Sequence, residues 1–322
     1  MRLNEALWYA APGRIELKPV DDPTPGSPLV TVTAHYSGLS RGTERLVLQG
    51  RVPASERERM RCPHQDGEFP FPVKYGYALA GVVTDGPQDL IGQSVFALHP
   101  HQRRAHVPVS ALHRLPEGLP IRRACLAANM ETALNITWDA EIGPGDRVLI
   151  IGGGVLGLLT AGAAAHTPGA VVTVTDIDPT RATLAERMGA AFALPGAAPK
   201  DQDIVIHTSA TESGLRQTLD CAAFEGKIVE ASWFGDTNIS LPLGQAFHSR
   251  RLRLISSQVG TVAPTRRAEW SRERRMAAAL ELLCDARYDA LITGEIDFAD
   301  APAQVPAALD RSGGLMTVLR YA

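Results

Sequence analysis

Gly152-Gly153-Gly154-Val155-Leu156-Gly157 follows directly on the apolar run Val148-Leu149-Ile150-Ile151, and Asp176 closes the next such run, Ala170-Val171-Val172-Thr173-Val174-Thr175. Residues of these types in this order can bind a dinucleotide. Gly152 lets the chain turn tightly off a strand. Gly154 leaves room for a pyrophosphate at the start of a helix opened by Val155 and Leu156, where N–H groups and the helix dipole favour anions, and Gly157 lets helix and strand pack closely. A carboxylate at Asp176 accepts both ribose hydroxyls of NAD(H) and repels the 2′-phosphate of NADP(H), so NAD(H) is the expected cofactor. A glycine-rich turn alone recurs for purely structural reasons; strand, turn, helix, strand and acid in sequence make the dinucleotide reading specific.

The elements that position these residues follow from the surrounding pattern. Gly143-Pro144-Gly145-Asp146 bounds the first strand, and Leu158 to Ala165 continues as a helix without a breaker. Residues 126–258 alternate strands (Val148 to Ile151, Val171 to Thr175, Asp203 to His207, Lys227 to Glu230, Leu252 to Ser256) with helices around Ala161, Ala182 to Met188 and Leu215 to Ala223, which predicts a doubly wound parallel sheet. Residues 1–125 carry short strand-like runs instead, Ser27 to Ala34, Ala80 to Thr84 and Val95 to Leu98, punctuated by Pro-Gly, Asp-Gly and Gly-Pro, the texture of a β-rich domain. The tail predicts a long amphipathic helix over Arg266 to Leu283, a strand Ile292 to Phe298, a helix after Ala301 and a last strand Leu315 to Arg320.

A chain of 322 residues with 45% hydrophobic content is too long for one ordinary core, so two domains are expected. Charge is near balance, 32 basic against 35 acidic residues, and no basic stripe carries interleaved aromatics, which argues against a nucleic-acid partner. The N-terminus lacks the apolar core of a signal peptide, and no stretch approaches the roughly twenty apolar residues that span a bilayer. A soluble, cytoplasmic protein without a membrane partner is expected. Cys62, Cys125, Cys221 and Cys284 are scattered, without a CxxC pair or metal-finger spacing, and read as reduced thiols.

Together these features resemble the medium-chain dehydrogenase/reductase superfamily, which includes the zinc-type alcohol dehydrogenases. The resemblance spans essentially the whole chain and is carried by Ser37-Gly38-Leu39-Ser40-Arg41-Gly42-Thr43-Glu44, by Val73 to Val83, by the dinucleotide turn and by Ile255-Ser256-Ser257-Gln258-Val259-Gly260. It implies an α/β chain with a GroES-like β-rich catalytic domain (1–125), a Rossmann NAD-binding domain (126–258), and a C-terminal return to the catalytic domain (259–322). The run Met60 to Tyr77, and Ser257-Gln258-Val259-Gly260 with Arg266, Arg267 and Trp270, look like a bacterial zinc-free branch. That branch has some similarity to the bacteriochlorophyllide hydroxyethyl dehydrogenases, which suggests a secondary alcohol or ketone on a ring-bearing substrate.

Zinc members of the superfamily hold the catalytic metal through a cysteine in the first anchor, a histidine and often a glutamate in the second, and a cysteine or acid near the domain junction. Here those positions fall on Ser40 or Arg41, on Tyr77-Ala78, and near Ala128 or Asn129, and the cysteine-rich lobe that holds a structural zinc is absent, so no metal is expected. Something else must then manage charge on the substrate oxygen. By the resemblance, Tyr77 replaces a metal ligand and its phenol is a candidate proton donor, with Lys74 placed to lower its pKa; filling the void left by a metal is the alternative. His99 matches a substrate-pocket position and is a candidate general acid/base, against a solvated loop that would also hold His101. Ser40, Thr43 and Glu44 could complete a relay, although Glu44 could simply pair with an arginine.

Cofactor contacts implied by the resemblance are Arg41 at the pyrophosphate, Thr132 near the nicotinamide, Arg181 against the adenine, Thr208-Ser209-Ala210 bordering the adenosine ribose and Ser232-Trp233-Phe234 at the carboxamide. Trp233 and Phe234 could instead be core aromatics. Glu131 could point into the cleft or cap its helix. Relatives usually dimerise through a sheet edge, for which Arg251 to Ile255 is the candidate in a homodimer. The expected function is zinc-independent hydride transfer between NAD(H) and a secondary alcohol or ketone in a cleft between domains. The alternatives are a quinone or enone reductase, whose substrate delocalises its own charge, and a non-catalytic NAD(H)-binding protein.

Overall fold

The computed structural model describes residues 3–22, 28–311 and 313–321, and Ser27, the first residue of one expected strand, lies outside them. Alternating apolar side chains build two sheets in the first compact unit, which comprises residues 1–128 and 280–322. The smaller has the strand order Arg14–Pro19, Glu5–Ala11, Val73–Lys74, Asp66–Gly67. The larger runs Ile292–Asp297, Met316–Arg320, Val30–Leu39, Leu79–Asp85, Ser94–Ala97, His113–Arg114, with Arg104–Val107 also pairing to Val30–Leu39. Val30, Val32, Leu79, Val83, Val95 and Val107 are buried together, so their strands share one core.

Residues 129–279 form the second unit. Its six parallel strands lie in the order Ala191–Ala193, Val171–Thr175, Arg147–Ile151, Gln202–His207, Ala222–Glu230, Arg253–Ser256, which in chain order is 3-2-1-4-5-6, the dinucleotide-binding arrangement. Leu149, Val205, Leu219 and Ile228 are buried in its core. The order reverses between Arg147–Ile151 and Gln202–His207, and the crevice at such a reversal, beyond the carboxyl ends of the strands, is where ligands bind.

Residues 259–279, expected to return with the tail, cluster with the second unit instead. Their anchor is Arg275, only 1% exposed, which donates to Glu131 Oε1 (3.0 Å), Asn135 Oδ1 (2.5 Å) and the Val259 carbonyl (2.6 Å). The helix expected over Arg266 to Leu283 is shorter, Arg272–Leu282. Ser271 accepts the Arg274 N–H with its hydroxyl (3.1 Å), a cap that starts the helix after Trp270, whose ring packs on Trp138 at 4.8 Å. Among the described residues no helix is long and apolar enough to cross a membrane.

Candidate functional site

In the second unit, the glycine turn occupies the carboxyl end of Arg147–Ile151. Gly152 has φ 116°, a conformation that favours glycine, and a Cβ there would meet Thr208 Oγ1 and the Ser209 N at 2.8 Å. At Gly157 a Cβ would lie 1.8 Å from the Gly152 carbonyl oxygen, whereas a Cβ at Gly154 would meet nothing within 4 Å. Open space thus stands before the helix Val155–Ala164, for which Gly154 is the N-cap. Asp176 accepts the Gly153 N–H (2.6 Å) on one oxygen and the Asp178 N–H (2.9 Å) on the other, leaving lone pairs on both for further donors. Arg181 is buried beside Gly153 and pairs with Asp178 at 3.4 Å.

Two loops face the turn's end of the sheet. Thr208 donates its hydroxyl to the Gly152 carbonyl (2.9 Å), and the Ala210 N–H donates to Ser232 Oγ (3.0 Å), so 208–210 and 232–234 are tied together. Trp233 and Phe234 are half-buried rather than core residues. Thr132 lies on the helix Ala127–Ala140, half-buried. Glu131 neither caps that helix nor stands free for chemistry: it is buried and its carboxylate belongs to Arg275.

In the first unit, the structure brings Ser40, Thr43 and Tyr77 together. The Tyr77 phenol lies beside the side chains of Ser40 and Thr43, which pull its pKa down, but burial wins and pushes it up to about 12. Lys74 therefore does not lower the Tyr77 pKa as expected from its spacing; its ammonium pairs with Asp66 and donates to Gln102 Oε1 (3.3 Å). Glu44 is buried outright and both its oxygens are engaged, Oε1 by the Ser40 N–H (2.6 Å), Oε2 by the Tyr9 hydroxyl (2.5 Å) and His101 Nε2 (2.9 Å). Its partners are thus a tyrosine and a histidine rather than an arginine, and through the Ser40 N–H it holds the Ser40 turn in place.

His99 and His101 are not solvated. His101 is fully buried, bridges Glu44 to Ser37 Oγ (2.7 Å), and leaves no room for a Cβ at Gly76, where φ is 128°. Ser37 pairs in turn with the Tyr321 hydroxyl at 2.8 Å. His99 Nδ1–H donates to the Pro100 carbonyl (2.8 Å), and its ring lies 5.2 Å from that of His64. Burial drives its pKa down to about 3 against the pull of that carbonyl, with Lys74 adding to the fall. That shift favours the neutral imidazole and so works against His99 as a general acid near neutral pH. Arg41 is half-buried; its Nε donates to the Leu309 carbonyl (3.2 Å) and a terminal nitrogen to that of Gly314 (3.4 Å), near the carboxyl end of the helix Ala301–Asp310.

The donor set at the superfamily's metal positions does not suit zinc, which needs deprotonated sulfur, nitrogen or carboxylate ligands. Ser40 offers a hydroxyl, Tyr77 a protonated phenol and Ala78 nothing; nearby Cys62 is buried and its thiol pushed up to about 12. Among the described residues no three His, Cys, Asp or Glu side chains converge on a point that could hold a metal ion. Sequence reasoning missed Tyr9, His101, Tyr321, Arg275, His207 and Glu230, whose partners lie far away in the chain.

The fold and the relatives of this chain are those of the zinc-type alcohol dehydrogenase-like medium-chain dehydrogenase/reductase superfamily. No family model matches the chain. In sequence it is similar to D-guloside 3-dehydrogenase of Escherichia coli, 23% identical over 62% of this chain and 61% of that one. It is also similar to 2-dehydro-3-deoxy-L-galactonate 5-dehydrogenase of Pseudoalteromonas atlantica, 26% identical over 57% and 53%. The matches thus span about three fifths or less of these relatives' length. In structure it is similar to a protein of Sinorhizobium meliloti described as a zinc-binding dehydrogenase and bound to NADP, with TM-score 0.79 and 20% identity, covering 99% of this chain and 100% of that one. A short chain alcohol dehydrogenase of Escherichia coli complexed with NADH gives TM-score 0.77 and 17% identity, covering 98% and 99%.

Proposed function

We propose that this chain is a zinc-independent oxidoreductase that reduces a ketone to a secondary alcohol, or runs the reverse reaction, with NAD(H), and that Tyr77 manages the proton. The observation that carries this reading is the Tyr77 phenol, held neutral beside Ser40 and Thr43 at a position where the resemblance implies a metal ligand in zinc members of the superfamily. The bound nicotinamide would supply or accept the hydride. Asp176, with lone pairs left beyond its backbone partners, favours NAD(H) over NADP(H) by accepting ribose hydroxyls and repelling a phosphate. The open approach to the helix at Gly154 leaves space for the pyrophosphate.

Chemistry follows from the protonation state. A phenol pushed up to about 12 is neutral at physiological pH, so it donates a hydrogen bond to a carbonyl oxygen and gives its proton as charge develops there. The phenolate then recovers a proton from solvent, relayed through the Ser40 and Thr43 hydroxyls, each of which takes up one proton as it gives one. In the reverse direction the same path runs backwards, and the proton leaves the phenol before the carbinol is oxidised. The names of the relatives, a guloside and a sugar-acid dehydrogenase, support a secondary hydroxyl or ketone on a sugar or another ring-bearing substrate. A homodimer would extend the six-stranded sheet at Arg253–Ser256, its terminal strand, where Leu254 is 37% exposed.

The test is a comparison of NADH and NADPH by fluorescence titration on protein of measured metal content, followed by turnover assays on cyclic ketones and keto-sugars with wild type and Tyr77→Phe. We expect NADH to bind more tightly, and Tyr77→Phe to keep NADH affinity while losing at least about a hundredfold in kcat. Binding of NADPH alone, activity that requires one bound zinc, or full turnover by Tyr77→Phe would each overturn the reading.

A further inference from the structure

His207 is the last residue of the central strand Gln202–His207, fully buried, and in register with Glu230 on the neighbouring strand. Its Nδ1–H donates to Glu230 Oε2 at 2.7 Å, and Nε2 pairs with Ser209 Oγ at 2.7 Å. Glu230 Oε1 accepts the Ser232 N–H (2.6 Å), and Ser232 Oγ accepts the Ala210 N–H (3.0 Å). The Phe234 ring stacks on the imidazole with centroids 6.0 Å apart. One side chain therefore touches both loops, 208–210 and 232–234, and the contacts close into a ring running Ser209, His207, Glu230, Ser232, Ala210. Ala210 sits at φ 52°, in the left-handed region that a non-glycine residue enters at a cost. Burying an imidazole against a carboxylate is also costly unless the geometry it fixes repays it.

We propose that His207 is a positioning residue for the dinucleotide, setting the span between the two loops so that one cofactor molecule can engage both. This rests on the reading above, in which 208–210 borders the adenosine ribose and 232–234 the carboxamide. A whole dinucleotide must satisfy both loops at once and depends on their spacing. A mononucleotide such as AMP needs only the first loop and Asp176, and is indifferent to it. Preorganised spacing of this kind contributes to affinity by removing the ordering cost at binding.

The experiment titrates wild type, His207→Leu and His207→Asn with NADH and with AMP, alongside thermal melts. His207→Leu should bind NADH at least about tenfold more weakly and AMP within about twofold of wild type, and His207→Asn, which keeps a donor toward Glu230, should recover most of the loss. Equal weakening of NADH and AMP would mean a merely structural residue, and unchanged NADH affinity would remove the role; either overturns the proposal. Should His207→Leu fail to fold, Glu230→Ala removes a link from the partly exposed side of the ring at a residue not assigned to the cofactor, with the same selective loss expected. Wild type that binds neither ligand would instead refute the nucleotide reading itself.

Discussion

His99 is the residue whose behaviour separates burial from catalysis most cleanly. Its imidazole is held neutral in the folded protein, with a pKa near 3 against an ordinary value of 6.5, because burial disfavours the charged ring and the Lys74 ammonium adds to that, while only the Pro100 carbonyl resists. The unfolded chain takes up the proton below 6.5 and the folded one does not, so stability is fully present above 6.5 and is lost as pH falls toward 3. Each pH unit in that window costs about 1.4 kcal/mol, and the step from pH 7 to pH 5 costs about 2 kcal/mol. His99→Asn keeps a donor for the Pro100 carbonyl but cannot titrate. It loses some packing at every pH, so the readout is the slope and not the absolute stability. Urea denaturation followed by tryptophan fluorescence at pH 7 and pH 5 should show wild type losing about 2 kcal/mol more than the variant over that interval, since His64 and His106, whose pKa values burial also lowers, are present in both. Parallel profiles would refute the reasoning: they would mean that His99 takes up a proton in the folded state, and would restore it as a general acid.

Three further outcomes follow from particular contacts. Gly157→Ala places a Cβ 1.8 Å from the Gly152 carbonyl oxygen and should cost more than about 2 kcal/mol, whereas Gly154→Ala meets nothing within 4 Å and should cost about 1 kcal/mol or less while weakening NADH; paired denaturation curves and titrations check both. Arg275→Leu strands the buried Glu131 carboxylate and should destabilise by about 3–5 kcal/mol, part of which Glu131→Gln should restore in the double variant, as read by denaturation. Asp176→Ser removes the charge that repels a 2′-phosphate, so the ratio of NADPH to NADH dissociation constants should fall by at least about tenfold in fluorescence titrations, and an unchanged ratio would deny Asp176 that role.

The second unit was the more legible because its signals are local. Val171–Thr175 and Ile151 read as strands from their β-branched runs, and the glycine turn announces itself by residue type. Ala191–Ala193, an Ala-Phe-Ala run, is too short to show a periodicity, and amphipathic spacing over Arg266 to Leu283 continues past a break that Ser271 makes by capping. Grouping Ser40, Thr43 and Tyr77 was accessible through resemblance. The partners of Lys74, Glu44, Glu131 and His207 were not, because each lies on an element whose register only the folded chain sets, as where Glu44 meets Tyr9 and His101. Spacing suggested that Lys74 serves Tyr77, but the pairing of Val73–Lys74 with Asp66–Gly67 gives its ammonium to Asp66.

Arg275 also bears on how this architecture can be recombined. A chimaera that exchanged nucleotide-binding halves at residue 258 would separate Arg275 from Glu131 and Asn135 and leave each parent's buried charge facing a stranger's side chain. Seams at 128/129 and 279/280, the bounds of the two compact units in sequence, keep Arg275 with Glu131 and Asn135 in a single parent. A stretch that reads as the beginning of the tail therefore travels, for any graft, as the last piece of the nucleotide-binding cassette.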